Sequence, residues 1–215
     1  MKLGDLQSKK TGPLLVLILM TLFFCVLKED LAVLFHYDRA SIFHGDLWRP
    51  FTSHLTHTGW RHLLLSVSGT LVVFALFGTL YSPLAWLTGL VGSMVATSAG
   101  LLLFCPDLEW YRGFSGVLHG LLAMGLVGGI GRAGGVYYLG LVLLLAKLLA
   151  EYLLGPSLHT SLLISAPVIK EAHLYGSIAG GVMACLLLQE KTMPGRSFGF
   201  TIRNHFRAAA HVWEK

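Results

Sequence analysis

Charged side chains are scarce in this 215-residue chain: Asp, Glu, Lys and Arg make up 13% of it, against 54% hydrophobic residues and a mean hydropathy of +0.68. So little charge excludes an ordinary water-soluble domain and points to a membrane protein. Cysteine is nearly absent too. Cys25, Cys105 and Cys185 are an odd number without metal-type spacing, so they cannot all pair, and buried apolar cysteine is the simplest reading. No convincing internal repeat and no low-complexity linker interrupt the chain. The net charge of +5 is not accompanied by a basic stripe with interleaved aromatics, so no nucleic-acid partner is expected.

What the chain does contain is apolar length. A spanning helix needs about 20 mostly apolar residues, and six such windows are read from the sequence: about 13–27, 62–80, 84–104, 115–130, 136–154 and 172–188. The first follows Lys2, Lys9 and Lys10 and looks like the start of a signal peptide. No small-residue cleavage site comes after it, so an uncleaved helix is expected. The expected architecture is all-α: a six-helix polytopic membrane domain over residues 1–192, then a basic tail over 193–215. If residues 200–213 are helical, Ile202, Phe206, Ala210 and Trp213 share one face beside Arg203 and Arg207, which suits a helix lying on the inner leaflet. With both termini inside, the inner segments hold Lys2, Lys9, Lys10, Arg132, Lys191, Arg196, Arg203, Arg207 and Lys215. The outer loops hold the smaller set Lys28, Arg39, Arg49, Arg61, Arg112 and Lys170. That bias favours cytoplasmic ends.

In this orientation the second, fourth and sixth helices run from outside to inside, so their first turns share one depth. Unusual polar residues collect there: His54, His57 and His62 before and at the second helix, Ser115 and His119 opening the fourth, and His173 opening the sixth. Ionisable residues in membrane segments are costly and face a protein interior or a watery cavity, so three sets at one level suggest one site. The means of convergence is also present. Ala172, Gly176, Gly180 and Ala184 repeat every four residues, and Gly116 and Gly120 have the same spacing, which lets helix backbones approach closely.

Serine becomes a useful nucleophile when a base takes its proton, and histidine has the intrinsic pKa for that task. Ser115 is the candidate nucleophile and His173 the candidate general base, then acid. No acidic residue obviously completes a triad: Glu171 lies two residues before His173 and points to another face, so a dyad is expected. His119 shares the Ser115 face at i+4 and is placed to stack on or bond to His173, or, second in rank, to act as the base itself. The Ser115 backbone N–H at a helix start is free for a developing oxyanion, with His62 and, four residues on, Ser66 as side-chain donors and Gly113 and Gly116 in support. His57 suits structure or water retention. Lys147 and Glu151 stand one turn apart on the fifth helix and are expected to neutralise each other.

Trp48-Arg49 in the first outer loop, His57 and His62 entering the second helix, Gly113-Phe114-Ser115-Gly116 on the fourth and Ala172-His173-x-x-Gly176 on the sixth together resemble the rhomboid intramembrane serine proteases, from about Trp48 to Ala184. The resemblance implies a six-helix rhomboid bundle with a Ser115–His173 dyad below the outer membrane surface, His62 in the oxyanion hole, Trp48 and Arg49 in structural roles, and cleavage at or near substrate transmembrane helices. Two positions differ from common members: Ser66 stands where typical rhomboids carry asparagine, and His119 where many bacterial ones carry a tyrosine that stacks on the catalytic histidine. The stretch "GFSGVLHG" is similar to the rhombosortase branch. That likeness implies substrates ending in Gly-Gly, a hydrophobic helix and a basic tail, cut on the periplasmic side of a bacterial inner membrane. No cofactor or metal is expected.

Three alternatives stand beside this reading: a rhomboid of broader specificity, a histidine-rich metal-binding membrane protein or transporter using His54, His57, His62, His119 and His173 as ligands, and a catalytically dead chaperone of the same fold. The absence of carboxylates from the helix starts argues against a metal, and the intact serine and histidine argue against a dead fold.

Overall fold

A computed structural model describes residues 32–132 and 135–192. The expected first helix, Cys25 and the basic tail lie outside those residues. The other five expected helices are present: α3 (Trp60–Phe77), α4 (Pro83–Phe104), α5 (Ser115–Gly129), α6 (Val136–Leu154) and α8 (Lys170–Thr192). Among the described residues, four segments are long and apolar enough to cross a membrane, namely α3, α4, α6 and the Lys170–Leu188 part of α8. The protein is an all-α, multi-pass membrane protein. Smaller elements that apolar length does not reveal fill the connections: α1 (Arg39–Phe43), α2 (Arg49–Thr52), α7 (Leu158–Ile164), and a two-stranded antiparallel pair of β1 (Tyr37–Asp38) with β2 (Trp110–Tyr111).

Local chemistry sets the ends. Ser82 caps α4 by accepting the Ala85 N–H at 3.2 Å, and Pro83 takes the first helical position, where its missing N–H is not needed. α6 stops at Gly155, whose φ of +83° leaves the helical region. α5 behaves differently. Phe114 precedes it without a side-chain cap, so the first N–H groups of α5 keep their donors unspent on the helix. Fifteen residues cover about 22 Å, less than the roughly 30 Å hydrocarbon core. An end of α5 therefore lies within the membrane, where only surrounding protein can cover it.

That cover comes from α3, α4 and α8, which pack around α5 as the central helix. Val117, Leu121 and Met124 on α5 are essentially inaccessible and join Val73, Phe77, Tyr81, Trp86 and Met94 in one core cluster. The tightest contact is between α5 and α8. A Cβ on Gly176 would run into the Gly116 carbonyl, and one on Gly180 into the Gly120 carbonyl, so the two backbones touch where side chains would otherwise stand. α6 is the peripheral member. It buries only Leu144 and exposes Leu139, Val142, Leu143 and Leu149, an apolar face for lipid.

Candidate active site

The Gly116–Gly176 contact lies one residue beyond Ser115 and three beyond His173, so it brings the first turns of α5 and α8 together. Ser115 Oγ is 3.0 Å from His173 Nε2. The other ring nitrogen, Nδ1, is 2.9 Å from Glu151 Oε2 on α6. An ionised carboxylate only accepts, so the Glu151 contact puts the proton of a neutral His173 on Nδ1. Nε2 is then the lone-pair atom facing the serine hydroxyl, the tautomer that proton abstraction requires. The expectation that no acidic residue reaches His173 is thereby corrected. The expected Lys147–Glu151 pair also exists, with Nζ 2.7 Å from Oε1, but it uses only one of the two carboxylate oxygens.

His119 stacks on His173, with ring centroids 4.1 Å apart and planes inclined by 15°. Its Nδ1 is 2.7 Å from the Ser115 carbonyl and so donates to the backbone. This bond turns the ring flat against His173 and away from a simple base role through that nitrogen. Stacking leaves His173 little freedom to rotate out of line with Ser115.

On the opposite side stands His62. Gly113 has a φ of +127°, which favours glycine, and a Cβ there would meet the His62 ring at 2.6–2.7 Å, so the turn before Ser115 lies directly on the imidazole. Thr58, which sequence reasoning missed, holds that ring: its hydroxyl donates to the Ile164 carbonyl at 2.8 Å and its oxygen lies 3.1 Å from His62 Nδ1, with the Thr58 main-chain N–H 3.5 Å from the same nitrogen. Nε2 is the ring nitrogen of His62 that lies against the Gly113 turn. His57 is buried, and burial followed by the neighbouring His62 pushes its pKa down to about 3. Being neutral, it donates from Nδ1 to the Leu55 carbonyl (3.2 Å) and accepts at Nε2 from the Ser66 hydroxyl (2.9 Å). The Ser66 proton is thus given to His57.

The remaining loop residues fasten the segment before α3. His54 is wholly buried, with Nε2 3.0 Å from Ser98 Oγ and 3.2 Å from the Met94 carbonyl, and burial lowers its pKa to about 4. Arg49 bonds Asp46 at 2.7 Å and the Val33 and His36 carbonyls at 2.9 and 3.1 Å; Trp48 Nε1 donates to the Leu34 carbonyl at 3.0 Å. The five histidines of the metal alternative therefore fall in three places: His54 against α4, His57 edge-on to His62, and His119 stacked on His173. Among the described residues, no three His, Cys, Asp or Glu side chains converge to hold a metal.

Ser115 and His173 open into a cavity of about 880 Å³. Its walls are a face of α3 with Leu65, Gly69 and Val72, a face of α6 with Lys147, Ala150, Glu151 and Leu154, and α7 with the chain up to Ile169. Most of this lining is apolar. A serine and a base of suitable tautomer at the edge of an apolar cavity in a membrane domain is an arrangement for acyl transfer on a hydrophobic chain. Residues 44–190 match the Rhomboid domain. The chain belongs to the rhomboid family. Rhomboids are intramembrane serine proteases that act on membrane-protein substrates within the bilayer, and this rhomboid has the multi-pass fold that such work requires. No curated protein matches the sequence significantly.

Proposed function

We propose that this rhomboid is a serine endopeptidase in which Ser115 is the nucleophile and His173 the general base and then the general acid. The observation that carries the reading is the 3.0 Å approach of Ser115 Oγ to His173 Nε2 beside the apolar cavity. As Oγ attacks the scissile carbonyl carbon, its proton passes to Nε2. The negative oxygen formed on the substrate is met by the Ser115 backbone N–H and the Nε2–H of His62, worth roughly 2.7–4 kcal/mol each by analogy with soluble proteases. Collapse breaks the C–N bond, Nε2 returns its proton to the departing amine, and the acyl group remains on Oγ. Water then attacks the ester, giving one proton to Nε2, and Ser115 recovers it as the new carboxylic acid leaves and loses its remaining proton to solvent.

The substrates are proteins held by a C-terminal Gly-Gly, hydrophobic helix and basic tail, cut on the periplasmic side of a bacterial inner membrane. The substrate class is supported by the likeness of "GFSGVLHG" to rhombosortases, and the periplasmic side by the excess of Lys and Arg on the inner side of the expected topology. Two glycines ahead of a helix also suit the chemistry. They lower helix stability by about 1 kcal/mol each relative to alanine and leave the peptide carbonyl unhindered.

The experiment is mass spectrometry of a reporter ending in Gly-Gly, a hydrophobic helix and a basic tail, co-expressed with wild type or Ser115→Ala. Cleavage beside the glycines by wild type alone is expected, together with loss of cleavage when Gly-Gly is replaced by Leu-Leu. Cleavage that ignores the glycines would return the protein to a rhomboid of broader specificity. Equal cutting by Ser115→Ala would remove the serine from the mechanism.

A further inference from the structure

We propose that Glu151 is a positioning residue for His173, making the site a Ser115–His173–Glu151 triad whose carboxylate is shared with Lys147; this rests on the dyad reading above. The geometry is that of a base oriented by a third group. Glu151 Oε2 accepts from His173 Nδ1 at 2.9 Å, and His173 Nε2 meets Ser115 Oγ at 3.0 Å. Glu151 is largely buried at 12% side-chain exposure, whereas Lys147, which holds the other oxygen, is 45% exposed. The less solvated of the two contacts is the one with His173.

Two functions follow from the geometry. The carboxylate fixes the proton of neutral His173 on Nδ1, and its negative charge favours the imidazolium that forms once Nε2 has taken the Ser115 proton. No proton passes to Glu151: Nδ1 keeps its own throughout, and Nε2 alone exchanges with Ser115, the amine and water. His119, stacked on the ring and bonded to the Ser115 carbonyl, limits rotation, while Glu151 limits tilt and tautomer.

The other charged and titratable groups around His173 make Glu151 distinct. α5 presents His119, α3 contributes His62, and α4 carries no Asp, Glu, Lys, Arg or His at all. α6 brings Lys147 beside Glu151, the loop before α5 brings Arg112 to the same cavity, and Lys170 and Glu171 lie on α8 itself. Of these, the Glu151 carboxylate is the group hydrogen-bonded to Nδ1.

The carboxylate comes from α6, the helix that is otherwise most exposed, so a purely architectural tie between α6 and α8 has to be separated from a role in the reaction. Kinetics of full-length protein in detergent or proteoliposomes make the separation, using Glu151→Gln, Lys147→Met, the double variant and Ser115→Ala. Glu151→Gln keeps the shape but offers an amide that can present N–H2 to Nδ1 and lacks the charge. Expected is a fall in kcat of at least about 100-fold with KM within about threefold of wild type, smaller than the ~10⁴ lost from a fully buried soluble triad. The double variant is expected to stay at the Glu151→Gln level.

Wild-type kcat in Glu151→Gln would overturn the proposal, and so would a loss confined to KM, which marks an architectural tie. Recovery of activity in the double variant would overturn it as well, since the defect would then lie in an unpaired Lys147 cation. Ser115→Ala keeps the two readings apart. Full activity there defeats the dyad itself, whereas an inactive Ser115→Ala beside a fully active Glu151→Gln defeats only the triad.

Discussion

Ser66 illustrates how a single hydrogen bond decides a residue's use. At i+4 from His62 it shares a helical face with the oxyanion candidate, which is why spacing alone nominates it as a donor. Its one proton is directed to His57 Nε2 at 2.9 Å, because Nδ1 of that neutral ring is held by the Leu55 carbonyl. Ser66→Ala is therefore expected to lower kcat/KM by less than about tenfold and stability by about 1 kcal/mol. His62→Ala, which removes the ring lying on the Gly113 turn, is expected to lower kcat by about 10²–10³. Steady-state kinetics on the two variants decide between them, and equal large losses would mean that Ser66 also serves the oxyanion.

At the scale of elements, the α5–α8 contact governs the site, since a helix pair held apart by one side chain would separate Ser115 from His173. Gly176→Val is expected to prevent folding, because the obstacle is the Gly116 backbone and cannot rotate away. Gly181→Ala on the same helix has open space and is expected to melt at or slightly above the wild-type temperature. Thermal unfolding in detergent checks both.

The same contact shows what was legible in the sequence. Repeating small residues announced that α5 and α8 approach closely, and apolar length placed α3, α4, α5, α6 and α8 within a few residues of their bounds. Apolar length could not announce β1, β2 or α7, which are short and depend on contacts made across the fold. Glu151 was equally hidden. On its own helix it already has a satisfying partner in Lys147 at i+4, and nothing local indicates that its second oxygen meets a ring 22 residues away. Thr58 was missed for a similar reason, since its role rests on the Ile164 carbonyl 106 residues away as well as on neighbouring His62.

For the whole molecule, two buried neutral histidines in the segment before α3 link fold stability to pH. His54 and His57 have pKa values near 4 and 3 in the fold, below the ordinary histidine value of about 6.5 expected in the unfolded chain. As pH falls below about 6.5 the unfolded chain takes up protons that the fold refuses, so stability falls until the folded values are passed. The slope approaches roughly 1.4 kcal/mol per pH unit for each histidine. His54→Gln, which keeps a donor for Ser98 and the Met94 carbonyl, is expected to flatten the decline between pH 6 and 4 in detergent melts. An unchanged decline would mean that other groups carry it.

The central claim is that His173 activates Ser115. Its most direct measurement is reaction of the intact protein with a fluorophosphonate, followed by peptide mass spectrometry. Expected is a single covalent adduct on Ser115 in wild type, absent in Ser115→Ala and slowed by orders of magnitude in His173→Ala. An adduct on another residue, or one on Ser115 that forms equally fast without His173, would contradict the assignment.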